Sequence, residues 1–99
     1  MWILETAADS EAGALIFRIP PGAIKTIGRA PRADFIVDVP LVSRLHCRLT
    51  ANPTGLEIFD LDSTNGTFVN DRRVKQAMLT PGDHIKIGPV SLTVSQEGV

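Results

Sequence analysis

Two arginines, four hydroxyls and two asparagines stand in three short stretches of this chain: Gly28-Arg29, Ser43-Arg44-Leu45-His46, and Ser63-Thr64-Asn65-Gly66-Thr67-Phe68-Val69-Asn70. Arg carries a planar, permanently charged fork that matches an oxyanion. Ser and Thr hydroxyls donate single hydrogen bonds, and an Asn amide donates and accepts at once. The inventory suits an anion that is held and released. None of the three stretches is a catalytic signature.

Each residue also has a plainer reading. Arg29 after a strand-ending Gly28 could be a solvated arginine, and Ser43-Arg44 could be an ordinary turn with a locally bonded hydroxyl. Asn65-Gly66 could be a hairpin turn, since both residues tolerate positive φ; an Asn there would also project its amide outward, toward the backbone of an extended peptide. Ser43 and His46 invite a nucleophile–base pairing, as in a hydrolase. Three residues apart at the start of a strand, their side chains tend to opposite faces, and no third group that would orient a base can be named. His46 therefore reads as a structural histidine bonded to loop backbone, and Cys47 as a small buried apolar side chain. No metal cluster, phosphate-cradling glycine loop or acid–base pair supports an enzyme.

The elements that would position these residues are strands. Gly and Pro recur at short intervals, from Gly13 and Pro20-Pro21-Gly22 to Gly88-Pro89, leaving segments too short for ordinary helices. Many short strands with frequent turns read as a sandwich or barrel. Ile85, Ile87, Val90, Leu92 and Val94 alternate at period two, as half-buried strands do. Strands are predicted near 2–5, 15–19, 24–28, 35–37, 46–51, 56–60, 67–69, 84–87 and 90–95, with 70–79 open. Arg29 then begins one loop, Ser43 and Arg44 end another, and Thr64 and Asn65 lie in a third. Loops at one end of a sandwich cluster while the sheets hold them rigid.

The 99 residues bound a single domain, residues 1–99, large enough to bury one core. Ten basic and eleven acidic residues leave a net charge of −1, which argues against direct nucleic-acid binding. Seven of the ten basic residues are Arg, so local anion sites remain open. The one cysteine permits no internal disulfide. No apolar run reaches the ~18 residues of a membrane span, and the N-terminus lacks a signal-peptide pattern. The expectation is a cytoplasmic protein, nuclear if the source is eukaryotic, that does not engage a membrane.

Gly28-Arg29, Ser43 with His46, and Asn65-Gly66 with Asn70 resemble, in order and spacing, the forkhead-associated (FHA) family. The run Leu79-Thr80-Pro81-Gly82-Asp83-His84-Ile85-Lys86-Ile87-Gly88 is similar to that family's closing hairpin. The resemblance covers roughly Trp2 to Val94. It implies an all-β, two-sheet β-sandwich of about eleven short strands, FHA/SMAD-like, with binding loops at one end. It implies recognition, without cofactor or metal, of a phosphothreonine-containing protein or peptide made by a Ser/Thr kinase. Arg29 would contact phosphate and peptide backbone, Ser43 and Arg44 the phosphate. Thr64 would line the phosphothreonine site and Asn65 would grip the peptide backbone. Gly28, His46, Gly66 and Asn70 would support the loops. Some relatives carry a basic residue two positions before Ser43; here Leu41 stands there, which favours an apolar over an acidic residue downstream of the phosphothreonine. Arg72 and Arg73 either add charge near the site or are solvated. The alternative is a sandwich interaction domain that binds through a sheet face without phosphate.

Overall fold

Turn residues at short intervals leave eleven strands of two to seven residues. The computed structural model describes residues 1–98 and contains no helix among them. The strands are β1 (Trp2–Thr6), β2 (Ile16–Ile19), β3 (Ile24–Gly28), β4 (Phe35–Ile36), β5 (Cys47–Asn52) and β6 (Gly55–Asp60). They continue as β7 (Thr67–Val69), β8 (Arg72–Val74), β9 (Gln76–Leu79), β10 (His84–Ile87) and β11 (Val90–Gln96). Nine of them fall within one residue of the expected bounds at either end.

The segment left open, 70–79, holds the other two, and they make one edge of the molecule. The strand order is β2-β1-β11-β10-β7-β8 in one sheet and β4-β3-β5-β6-β9 in the other. The chain passes from the edge of the first sheet to the edge of the second through Lys75 alone. Arg72-Arg73-Val74 is short and charged, which suits an edge and hides the strand from an alternation test. The tight hairpin lies here too. Asn70 and Asp71 have φ of 49° and 67° and join β7 to β8 as a two-residue primed turn. Asn65-Gly66 is not a hairpin turn; it belongs to the connection that carries the chain from one sheet to the other.

Alternation buries one side of each sheet. Leu4, Ile19, Ile27, Leu49, Leu56, Ile58, Ile85, Ile87 and Leu92 are fully buried between the sheets. Phe17 of β2 stacks on Phe35 of β4, with centroids 4.5 Å apart, closing the other edge. All strand pairs but β3–β4 are antiparallel.

Cys47 is fully buried in this core, as its sequence context suggests. Burial, with a smaller contribution from the Asp60 charge, pushes its thiol up to about 12. The nucleophile in thiol chemistry is the thiolate, so Cys47 is expected to resist a water-soluble disulfide reagent in the native protein. Full reaction is expected in denaturant. Rapid stoichiometric labelling under native conditions would contradict this packing.

Candidate functional site

Three loops and one turn meet at one end of the sandwich: 29–34, 37–46, 61–66 and Gly88-Pro89. Backbone bonds tie the first two, from Arg29 N–H to the Ser43 carbonyl and from Ala30 N–H to the Arg44 carbonyl, both 3.0 Å. The approach is close because residue 28 is glycine. A Cβ there would lie 1.9 Å from the Arg44 carbonyl oxygen, so any side chain would push the loop away.

His46 joins the second loop to the third from beneath. It is fully buried. Its Nδ1 accepts from the Ser43 N–H at 3.1 Å, so the ring proton sits on Nε2, which donates to the Gly66 carbonyl at 2.8 Å. Both ring nitrogens are thus taken by loop backbone. Neither nitrogen is bonded to the Ser43 hydroxyl, so the two residues do not form a nucleophile–base pair in this structure.

The third loop is shaped by Asp60, which the sequence reading did not single out. Its carboxylate accepts from the Ser63 hydroxyl, the Thr67 hydroxyl at 2.7 Å and the Ser63 N–H at 3.2 Å. Ser63 Oγ in turn accepts from the Gly66 N–H at 3.0 Å. The available signal was an Asp with Ser three residues on, a pairing that bonds its own backbone. Burial works against the Asp60 charge, but the Ser63 and Thr67 hydroxyls and the Ser63 N–H outweigh it and hold the carboxyl below its ordinary value.

On this frame Arg29, Ser43, Arg44, Thr64 and Asn65 come together. Arg29 is exposed; its Nε donates to the Val42 carbonyl at 3.0 Å, and its two terminal nitrogens make no hydrogen bond or ion pair among the described residues. Ser43 Oγ accepts from the Thr64 N–H at 3.0 Å and keeps its own proton to donate. The exposed Arg44 side chain makes no hydrogen bond or ion pair among the described residues. Thr64 is exposed beside Ser43. Asn65 differs from the simple expectation of an outward amide: its Nδ2 donates to the Leu41 carbonyl at 2.9 Å, leaving Oδ1 and one N–H for another partner.

Leu41 is 64% exposed with a φ of 79°, which is uncommon for a residue with a side chain. The bond from Asn65 and the backbone of Gly88, where a Cβ would lie 3.1 Å from the Leu41 carbonyl, hold it there. Gly66, with φ of 90°, lies under the Arg73 side chain, so Arg73 does add charge near this end, while Arg72 is simply exposed. Asn70 braces a different loop from the one expected. It lies at the far end of β7, where its Nδ2 donates to Asp83 and its Oδ1 accepts from the His84 N–H. Among the described residues there is no cluster of His, Cys, Asp or Glu that could hold a metal, and no helix long and apolar enough to cross a membrane.

The FHA domain model matches residues 25–88. The ABC transporter ATP-binding/permease protein Rv1747 of Mycobacterium tuberculosis is 46% identical over 80 residues, 81% of this chain and 9% of that protein. The FHA domain of the CT664 protein from Chlamydia trachomatis matches the fold with a TM-score of 0.89, at 22% identity over 98% of each chain. A domain solved in an analysis of phosphothreonine-dependent FHA domain interactions matches with a TM-score of 0.82, at 27% identity over 100% of each chain. The chain spans less than two thirds of the length of the curated relatives it is similar to.

Two expectations follow from this geometry. His46→Ala leaves the Ser43 N–H and the Gly66 carbonyl unpaired beside a cavity, and is expected to destabilise by roughly 2–4 kcal/mol in urea unfolding. A parent-like midpoint would refute the bracing role. Because Asp60 keeps its charge to lower pH when folded, its contribution is complete above the unfolded value of 3.8 and is lost as pH falls through the lower, folded value. Asp60→Asn is expected to melt lower at neutral pH and to lose less on acidification. A residual loss should persist, because Asp34 and Asp83 are also held below 3.8, chiefly by the Thr26 and Thr80 N–H groups.

Proposed function

Because the chain belongs to the FHA domain family, we propose that it is a recognition module for phosphothreonine peptides, acting without chemistry of its own. The observation that supports this best is the state of the donors at the loop end. The Arg29, Ser43 and Asn65 side chains each make one internal bond, yet each keeps a donor not used within the fold. A phosphate monoester brings close to two negative charges and several strong acceptors at neutral pH. Arg29 supplies the fork, Ser43 a short hydroxyl donor and Arg44 a second, solvated charge. Asn65 grips the peptide backbone, with Thr64 beside the phosphothreonine. The engaged His46 ring and the frame around Gly28 and Gly66 hold these groups in place.

Charge-assisted bonds contribute roughly 1.5–3 kcal/mol each. Two or three of them, less the cost of ordering the peptide, correspond to an affinity of about 1 µM or weaker. That strength suits a reversible partner, a protein phosphorylated by a Ser/Thr kinase, which the module would meet in the cytoplasm. Residues 1–99 act as one such domain, since β1, β2 and β11 complete the sheet that β7, β8 and β10 begin. The exposed Leu41 at the rim favours an apolar peptide residue downstream.

Calorimetry with matched phosphothreonine, phosphoserine and unphosphorylated peptides tests the reading. The phosphothreonine peptide should bind severalfold tighter than the phosphoserine one, since a methyl in a small apolar pocket contributes roughly 1–3 kcal/mol. The unphosphorylated peptide should not bind measurably. Arg29→Ala should cost roughly 2–5 kcal/mol of binding while the domain remains folded. Undiminished binding by Arg29→Ala, or equal binding with and without phosphate, would overturn the proposal.

A further inference from the structure

Beside Asn65 the loop end opens onto the outer face of the six-stranded sheet. There a groove of about 280 Å³ is lined by Asn65, Phe68, Asp71, Lys86 and Gly88. Its floor follows from strand register. Phe68 of β7 lies between Arg73 of β8 and Lys86 of β10, with Ser91 of β11 beyond. Thr67 and Val69 turn into the core, so Phe68 faces outward, half-buried, with an exposed cation on either side. Among the described residues neither Arg73 nor Lys86 has a carboxylate within ion-pair distance. Asp71 closes the far end. None of these four groups serves the phosphate site.

The groove continues that site. Asn65 lines the groove and donates to the Leu41 carbonyl, and Leu41 lines the depression beside Arg29, so Asn65 and Leu41 link the two hollows. A chain running from Arg29 past Asn65 is therefore aimed along the sheet shoulder. We infer that this shoulder is a second contact site for the same phosphopeptide, taking an acidic side chain between Lys86 and Arg73 and an apolar one on Phe68. The inference rests on the phosphopeptide reading. Phe68 is three residues beyond Asn65 along the chain, so at ~3.3 Å per residue an extended peptide reaches it about three residues past the one that Asn65 grips.

Calorimetry on the whole chain separates the two sites. The probes are a short phosphothreonine peptide and longer versions extended on one flank or the other, each carrying either Glu or Lys in the extension. On one flank the Glu version should bind roughly threefold to fivefold tighter than the Lys version, the range expected for solvent-exposed charge pairs. In Lys86→Glu that preference should vanish or reverse, while affinity for the short peptide stays within about twofold. Lys86 is exposed, and a thermal melt checks that the variant is folded. No Glu-over-Lys preference on either flank, or a preference that survives Lys86→Glu, overturns the shoulder site while the short peptide still reports the phosphate site. Failure of the short peptide to bind the parent chain overturns both.

Discussion

The loop end depends on one buried ring. His46 has no access to water, and its two nitrogens hold backbone groups from two separate loops, the Ser43 N–H and the Gly66 carbonyl. Either group left unpaired in a dry interior would cost on the order of 1–3 kcal/mol, so the fold is stable only when both loops sit where the ring reaches them. Gly28 supplies the complementary condition, an approach to the Arg44 carbonyl that no Cβ would allow. The spacing between the Ser43 hydroxyl and the Asn65 amide is thus set from inside the protein, before any ligand arrives.

Polar groups at this end divide by burial. Those turned inward are matched: Asp60 by Ser63 and Thr67, Ser63 by Gly66, Ser43 by Thr64. Those turned outward include Thr64, Asn65, Asp38, Asp62 and cations with no carboxylate at ion-pair distance among the described residues. Arg18–Glu97, at the surface and distant in sequence from the loops, is the one ion pair among the described residues. Exposed ion pairs contribute little to stability, so leaving Arg29, Arg44, Arg73 and Lys86 unpaired costs the fold little and keeps them available to an anion. Loops already fixed by internal bonds also lose less freedom on binding, and more of the contact energy then shows as affinity.

Leu41 is where the two requirements meet. Its positive φ is unfavourable for a residue with a side chain. It is maintained because the Asn65 amide bonds its carbonyl and the Gly88 backbone packs against it. The Leu41 side chain is exposed and lines the hollow beside Arg29, while its bonded partner Asn65 lines the Phe68 groove.

What the sequence determined by itself was whatever depends on neighbours along the chain. Alternation such as Ile85, Ile87, Val90, Leu92 and Val94 reports which side of a strand is buried, and with the spacing of Gly and Pro it made nine strands legible. Gly28, Ser43, His46 and Asn65 were legible because their types and order match a known family pattern. Groups whose partners lie far away in sequence were not. Arg72–Val74 and Gln76–Leu79 are strands because each pairs with an edge, Val69 with Arg72 and Ile58 with Ala77, and short charged edges carry little alternation. Asn70 supports Asp83 and His84 instead of the Asn65 loop, because a β-strand of three residues carries it to the opposite end of the sheet. Tertiary structure alone decided that Asn65 would bond Leu41 and that Phe68 would stand between two cations. Both follow from packing two sheets so that loops from separate segments meet, a constraint that no local run of residues contains.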